Sequence, residues 1–167
     1  TDTGMKIEHR VPQRGADGDA TRDLDWPNLL GACCGTIPAP AGRGARLLHC
    51  DSAKGDQRLS LDPTEASHMA AIGYTRGGRV TSSRPEHQGE IDGVLNLNAD
   101  ALVERRTRAL SVLQDELQRR YGVRDLPEEK LQKLLAQTRD PSGGALRPFA
   151  GFVCWWLERT IRKVSSR

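Results

Sequence analysis

Lys6-Ile7-Glu8-His9-Arg10-Val11-Pro12-Gln13, Leu24-Asp25-Trp26-Pro27-Asn28-Leu29-Leu30-Gly31-Ala32-Cys33 and His49-Cys50-Asp51-Ser52-Ala53-Lys54-Gly55-Asp56 are the stretches on which the reading of this chain turns. They set polar side chains at three points about 20 residues apart, beside short apolar runs and a glycine-rich loop. Singly, each has an ordinary meaning. Glu8-His9 is an acid beside an imidazole, but strand neighbours point to opposite faces, so the two meet one site only at a strand end or bend. Asn28 within an apolar run is a cap or turn residue. Cys50-Asp51-x-x-Lys54 can open a helix, with the carboxylate near its positive end. Cys33 and Cys50 are 17 residues apart, far from a paired CxxC zinc spacing, and alone read as small buried thiols. His49 is a reserve candidate, alone a partly buried loop histidine.

Around these stretches the chain changes character. Gly15, Gly18, Gly31, Gly35, Gly42 and Gly44, with Pro38 and Pro40, punctuate residues 1–62, so only short strands and turns fit there. Residues 70–82 read as a hairpin, with Ala71, Ile72 and Tyr74 leading into Gly77-Gly78 and Val80 and Thr81 leading out. Residues 83–89 read as a polar loop. Then the period becomes helical. Asn98 and Asp100 offer a capping oxygen and first-turn negative charge. Val103, Leu110, Leu113, Leu117 and Tyr121 predict an amphipathic helix of about 22 residues, stopped by Gly122. Pro127-Glu128-Glu129 opens a second helix with Leu131, Leu134 and Leu135 on its apolar face. Residues 148–163 predict a third, in which the adjacent Trp155 and Trp156 cannot both face one narrow stripe.

Composition bounds the function. The chain has 167 residues, 37% apolar and only 4% aromatic, which suits one modest core. No apolar run approaches the roughly 20 residues that span a bilayer, and no signal peptide is visible, so a cytoplasmic protein without membrane segments is expected. Four cysteines without a secretion signal point to reduced thiols, used for metal ligation, catalysis or burial. Residues 1–98 carry 11 Lys and Arg against 13 Asp and Glu, whereas residues 99–167 carry 14 against 9. The basic half suits a phosphate backbone or an acidic partner, or is simply a solvated helical surface.

Taken together, acid-His-x-x-Pro, then Asn-Leu with a cysteine a few residues on, then Cys-Asp-x-x-Lys resembles the HNH nuclease signature. Lys-Ile-Glu-His, Leu-Asp-Trp-x-Asn-Leu-Leu-Gly-x-Cys and His-Cys-Asp-x-x-Lys-Gly-Asp look closer still to the HNH proteins of retron and Septu antiphage systems, the PtuB family. The stretch Val94-Leu95-Asn96-Leu97-Asn98 before a long Glu- and Arg-rich helix, and the Tyr74…Gly77-Gly78-Arg79-Val80 hairpin, are similar to that family too. The resemblance covers roughly residues 5–120.

The resemblance implies a ββα-metal core, in which two strands carry the acid-His and Asn segments and a helix carries the last ligand. It implies His9 as general base and Asn28 as the residue holding its loop or orienting its ring. Glu8 and Asp51 become ligands of Mg²⁺ or Mn²⁺, and Lys54 a candidate phosphate contact, with a structural salt bridge equally open. Asp51 stands where HNH proteins more often carry His or Asn, and a carboxylate suits a hard cation. Relatives carry a CxxC ahead of the acid-His segment that would complete a structural Zn²⁺ knuckle with Cys33 and Cys50. The implied partners are a nucleic acid substrate (DNA, with RNA open), a PtuA-like ATPase, and in some systems a retron reverse transcriptase with its RNA–DNA hybrid.

The expectation is thus an α+β protein of the bacterial cytoplasm. An HNH ββα-metal nuclease core with its hairpin occupies residues 1–95, and a helical region for packing and partner docking occupies 96–167. Its activity would be metal-dependent endonuclease cleavage in antiphage defence. The rivals are a catalytically inactive HNH-like subunit that binds nucleic acid or protein, and a zinc-organised structural module.

Overall fold

The computed structural model describes residues 5–38, 46–122, 127–140, 142 and 146–166. Among them the chain is α+β, built from small antiparallel hairpins and a helical C-terminal region. It divides into two compact units, one of Thr1–Gly73 with Val80–Ala99, the other of Tyr74–Arg79 with Asp100–Arg167.

In the first unit, β1 (Met5–His9) pairs antiparallel with β2 (Leu29–Cys33), Met5 opposite Cys33 and His9 opposite Leu29. The period of two turns Lys6 and Glu8 inward and leaves Met5 and Ile7 78% and 70% exposed. This inverts the usual apolar-in pattern, because the inward face of β1 meets charged partners rather than a core. A short 3-10 turn, Trp26–Asn28, opens β2 with Pro27 in its first turn. It delivers Asn28 into a fully buried position. There its Oδ1 accepts from the Val11 N–H at 2.7 Å, while its Nδ2 donates to the Val11 carbonyl at 3.1 Å and the Arg22 carbonyl at 3.2 Å. The amide thus pairs with both polar groups of one residue, as a neighbouring strand would. Asn28→Ala strands those groups without a partner and should destabilise this unit by about 2–4 kcal/mol. Urea unfolding checks this, and a loss below 1 kcal/mol, on the order of one ordinary hydrogen bond, would deny Asn28 its clamping role.

The ribbon of β3 (Thr36–Pro38) and β4 (Arg46–Leu48) follows, then a single helical turn, α1 (Asp51–Lys54), and α2 (Ala66–Ala70). The hairpin expected over 70–82 is β5 (Ile72–Tyr74) with β6 (Val80–Ser82). Residues 83–89 are not the polar loop that the sequence predicts. They form α3 (Pro85–Gly89), which runs into a π turn, Glu90–Val94. Pro85 sits in its first turn, the Ser82 hydroxyl accepts from Arg84 N–H at 3.1 Å, and Ile91 anchors the continuation with no exposure. Asn98 also departs from expectation. Rather than capping the long helix, its amide accepts from Val80 N–H at 2.7 Å and donates to Val80 O at 2.9 Å and to Asp92 at 2.6 Å. Asn28 and Asn98 are therefore two instances of one device, a buried amide clasping both backbone polar groups of a valine. The described buried side chains of this unit are five apolar ones, Val11, Pro12, Ile37, Val80 and Ile91, and five polar ones, Asn28, His49, Lys54, His87 and Asn98.

The second unit is a conventional helical core. It comprises α4 (Asp100–Tyr121), α5 (Glu128–Arg139) and α6 (Ala150–Ser165). Leu113, Leu117, Leu131, Val153 and Leu157 form its centre, with Tyr121, Leu134, Leu135, Trp156 and Ile161 packed around them. Gly122 ends α4 at φ +73°, where a side chain would be strained. The hairpin tip docks here through Gly78, at φ +81°. A Cβ there would lie 3.0 Å from Thr107 Cγ2 and 3.1 Å from the Val103 carbonyl. The buried Arg106, set within the apolar stripe of α4, donates to the Gly78 carbonyl at 3.1 Å. Trp155 and Trp156 do face different surroundings, Trp155 meeting Tyr74 and Phe152 while Trp156 joins the leucine core. Among the described residues no helix is long and apolar enough to cross a membrane.

Candidate functional site

His9 is the last residue of β1, so the chain bends immediately after it. Its Nε2 lies 3.0 Å from the Asp23 carbonyl oxygen. A carbonyl only accepts, so Nε2 carries the hydrogen and Nδ1 of the neutral ring is left as the basic nitrogen. The Gln13 amide is a looser neighbour of the same Nε2, at 3.4 Å. Asn28 clasps Val11, two residues on, and so fixes the segment that leaves His9.

Beside His9 lies a network of two carboxylates and two ammoniums. Glu8 and Asp51 hydrogen-bond each other, Lys54 pairs with Glu8, and Lys6 pairs with Asp51. Burial, and then the bond to Asp51, raise the Glu8 carboxyl above its usual range. Burial opposes ionisation of Asp51 too, but the bonds from Glu8 and Lys6 outweigh it and hold this carboxyl below its usual range. The Asp51 bond in turn raises Lys6. Of the two, Asp51 is thus the more readily ionised and Glu8 the less.

The two lysines differ. Lys6 is 41% exposed in its side chain and can swing away. Lys54 is 4% exposed, and its ammonium also donates to the His9 carbonyl at 3.2 Å and the Gly55 carbonyl at 3.4 Å. Lys54 is thus turned inward as a strut between α1 and the end of β1, which is the salt bridge that the sequence offered as the alternative to a phosphate contact. The spacing alone cannot distinguish these roles, because both need a lysine one turn into the helix.

A second cluster forms from Cys33, His49 and Cys50, whose ligand atoms all lie within 4.8 Å of one another. His49 Nδ1 is 3.2 Å from Cys50 Sγ and 3.9 Å from Cys33 Sγ. The backbone builds this meeting. Gly35, at φ +65°, turns the chain after Cys33-Cys34, and its carbonyl accepts from His49 N–H at 2.8 Å. A Cβ on Gly35 would sit 2.5 Å from the His49 carbonyl. Ser52 Oγ donates to the Cys34 carbonyl at 3.0 Å, closing the two turns on each other. Cys50 itself has φ +52°, in the left-handed region that non-glycine residues avoid. Such a trio could bind a metal ion, with two soft sulfurs and an imidazole as its donor set. His49, held in reserve by the sequence reading, stands inside the cluster, and its adjacency to Cys50 was the available signal. Thr1 to Ile7, which stand ahead of the acid-His segment in this sequence, include no cysteine.

Comparison of the chain with protein-family descriptions, characterised proteins and solved structures finds no match.

Proposed function

We propose that the first unit is a metal-dependent HNH-type endonuclease, hydrolysing phosphodiester bonds of DNA or RNA. The observation that supports this most is the Glu8–Asp51 carboxylate pair between β1 and α1, held by Lys6 and Lys54, with His9 next in β1 and its backbone carbonyl tied to the same Lys54. Asp51 and Glu8 are the residues to hold a divalent cation, and oxygen donors of this kind suit Mg²⁺ or Mn²⁺. When bound, the cation supplies charge stabilisation for the phosphoryl and leaving oxygens. His9 receives the proton of the attacking water at Nδ1, while the Asp23 carbonyl holds Nε2–H and keeps the ring oriented. Lys54 keeps Glu8 and the His9 backbone in place from within. The motif resemblance adds the setting, antiphage defence beside an ATPase partner.

One observation favours a second reading, a non-catalytic binding subunit. Lys6 and Lys54 already neutralise both carboxylates, and a cation must compete with them. Nicking of plasmid DNA and of RNA with Mn²⁺ or Mg²⁺, alone and with the ATPase, separates the two. Lys6→Met and Asp51→Ala sharpen the test. On the nuclease reading Lys6→Met lowers the Mn²⁺ concentration for half-maximal cleavage, and Asp51→Ala raises it. Cleavage by wild type with the same Mn²⁺ requirement in both variants would remove Asp51 from the ligand set, and absence of any cleavage under all conditions would favour the binding subunit.

A further inference from the structure

We infer that the groove between α4 and α6 binds a single strand of nucleic acid, through phosphates on its arginines and lysine and bases against its indoles. This inference is independent of the chemistry proposed for the first unit. The groove has a volume of about 500 Å³, and its charged lining is Arg76, Arg108, Arg159 and Lys163 against one acid, Glu104. Glu104 reaches Arg108 only at 3.6 Å, with both side chains more than 70% exposed. A pair so exposed neutralises little. The lining therefore keeps an excess of positive charge, in the half of the chain where Lys and Arg outnumber Asp and Glu by 14 to 9.

Trp155 and Trp156 share this lining. Their rings are half-buried and held from behind. Phe152 lies nearly parallel to Trp155, 16° off with centroids 5.9 Å apart, and Tyr74 meets it at 6.0 Å. Trp156 is seated on the leucine core. Neither ring has to be ordered when a ligand arrives. Arg159 sits 5.7 Å from the Trp155 centroid, combining a cation with a stacking surface. Along α6, the indoles, then Arg159, then Lys163 succeed one another at intervals of about one turn, roughly 5–6 Å of rise. Alternating flat and cationic groups match a strand that alternates bases and phosphates. An acidic peptide would use the cations but leave the indoles without a flat partner, so nucleic acid is the better fit.

The test uses the whole chain and a 5′-fluorescein-labelled 12-mer of oligothymidylate, with oligouridylate in parallel. Leaving Mg²⁺ and Mn²⁺ out of the buffer, with no chelator added, excludes cleavage without disturbing the Cys33–His49–Cys50 cluster, so that failure of this proposal and failure of the nuclease reading remain separate. Fluorescence anisotropy should give saturable binding whose log affinity falls with log salt at a slope of about −3, as expected for four phosphate contacts to a single strand. Arg108→Glu with Arg159→Glu, both at exposed positions, should weaken binding about tenfold or more and flatten that slope. In a Trp26→Phe background, where Trp155 and Trp156 are the remaining tryptophans, saturation should quench the intrinsic fluorescence. Unchanged affinity in the charge-reversed variant, absence of quenching at saturation, or equal binding of polyglutamate of matched charge would each overturn the proposal.

Discussion

His9→Ala should cut phosphodiester cleavage by about 10²- to 10⁴-fold, the usual contribution of a positioned general base, while leaving the melting temperature of the first unit unchanged. The structure separates the two effects. The His9 ring makes one firm polar contact, to the Asp23 carbonyl at 3.0 Å, and that carbonyl lies near solvent-accessible chain where water can replace the imidazole. The part of His9 that the fold does use is its backbone carbonyl, which accepts from Lys54 at 3.2 Å and survives the substitution. Plasmid nicking at saturating Mn²⁺, with circular dichroism melting of the same samples, measures both quantities. A folded variant that retains near-wild-type cleavage would exclude His9 as the base. Asn28→Ala should show the converse, a loss of stability first and of activity only as a consequence, because Asn28 touches the segment after His9 and not its ring.

The helical half was largely legible because its signal is local and repeated. Leu110, Leu113 and Leu117 of the expected apolar stripe are buried, and the 22-residue helix runs from Asp100 to Tyr121 with Gly122 beyond its end. The first half was legible in its motifs but less so in its detail, for a physical reason. Its interior is polar, so burial does not follow hydropathy. Asn98 looked like a cap because its neighbours are helical, yet the Val80 backbone, 18 positions away, was the better partner. The pairing of Lys6 with Asp51 and of Lys54 with Glu8 spans about 45 residues and leaves no periodic trace in the sequence. His49 shows the same limit. One histidine in a loop is uninformative until the turn at Gly35 brings Cys33 across to it.

If the Cys33–His49–Cys50 cluster holds a metal ion, as its donor set allows, loss of that ion should unfold the first unit, the largest stability effect expected in the molecule. Among the described residues the unit buries only five apolar side chains, a small return for so many residues ordered, and domains of that kind commonly depend on a metal or a covalent staple. The cluster is close to the size of a metal site, its three ligand atoms all within 4.8 Å of one another. A tetrahedral site with Zn–S bonds of about 2.3 Å separates its ligand atoms by roughly 3.5–3.8 Å, and the two distances from His49 Nδ1, 3.2 Å and 3.9 Å, bracket that range. Structural zinc contributes on the order of 10 kcal/mol to folding in small domains, far more than the strain of one left-handed residue. That comparison gives a test whose sign decides. Cys50 sits at φ +52°, so in a protein without metal there, Cys50→Gly relieves strain of about 1–3 kcal/mol and stabilises the unit. If Cys50 is a ligand, the same substitution removes a thiolate and destabilises the unit despite the relief. Metal analysis should fall from about one Zn²⁺ per chain to well below one in Cys33→Ser, His49→Ala and Cys50→Gly, as bond-by-bond loss of a structural site requires, while Cys154→Ser keeps the wild-type content. Chelator should lower the wild-type melting temperature and leave that of Cys50→Gly where it is. A stabilised, chelator-indifferent Cys50→Gly protein would mean that the three side chains meet for packing and hold no metal.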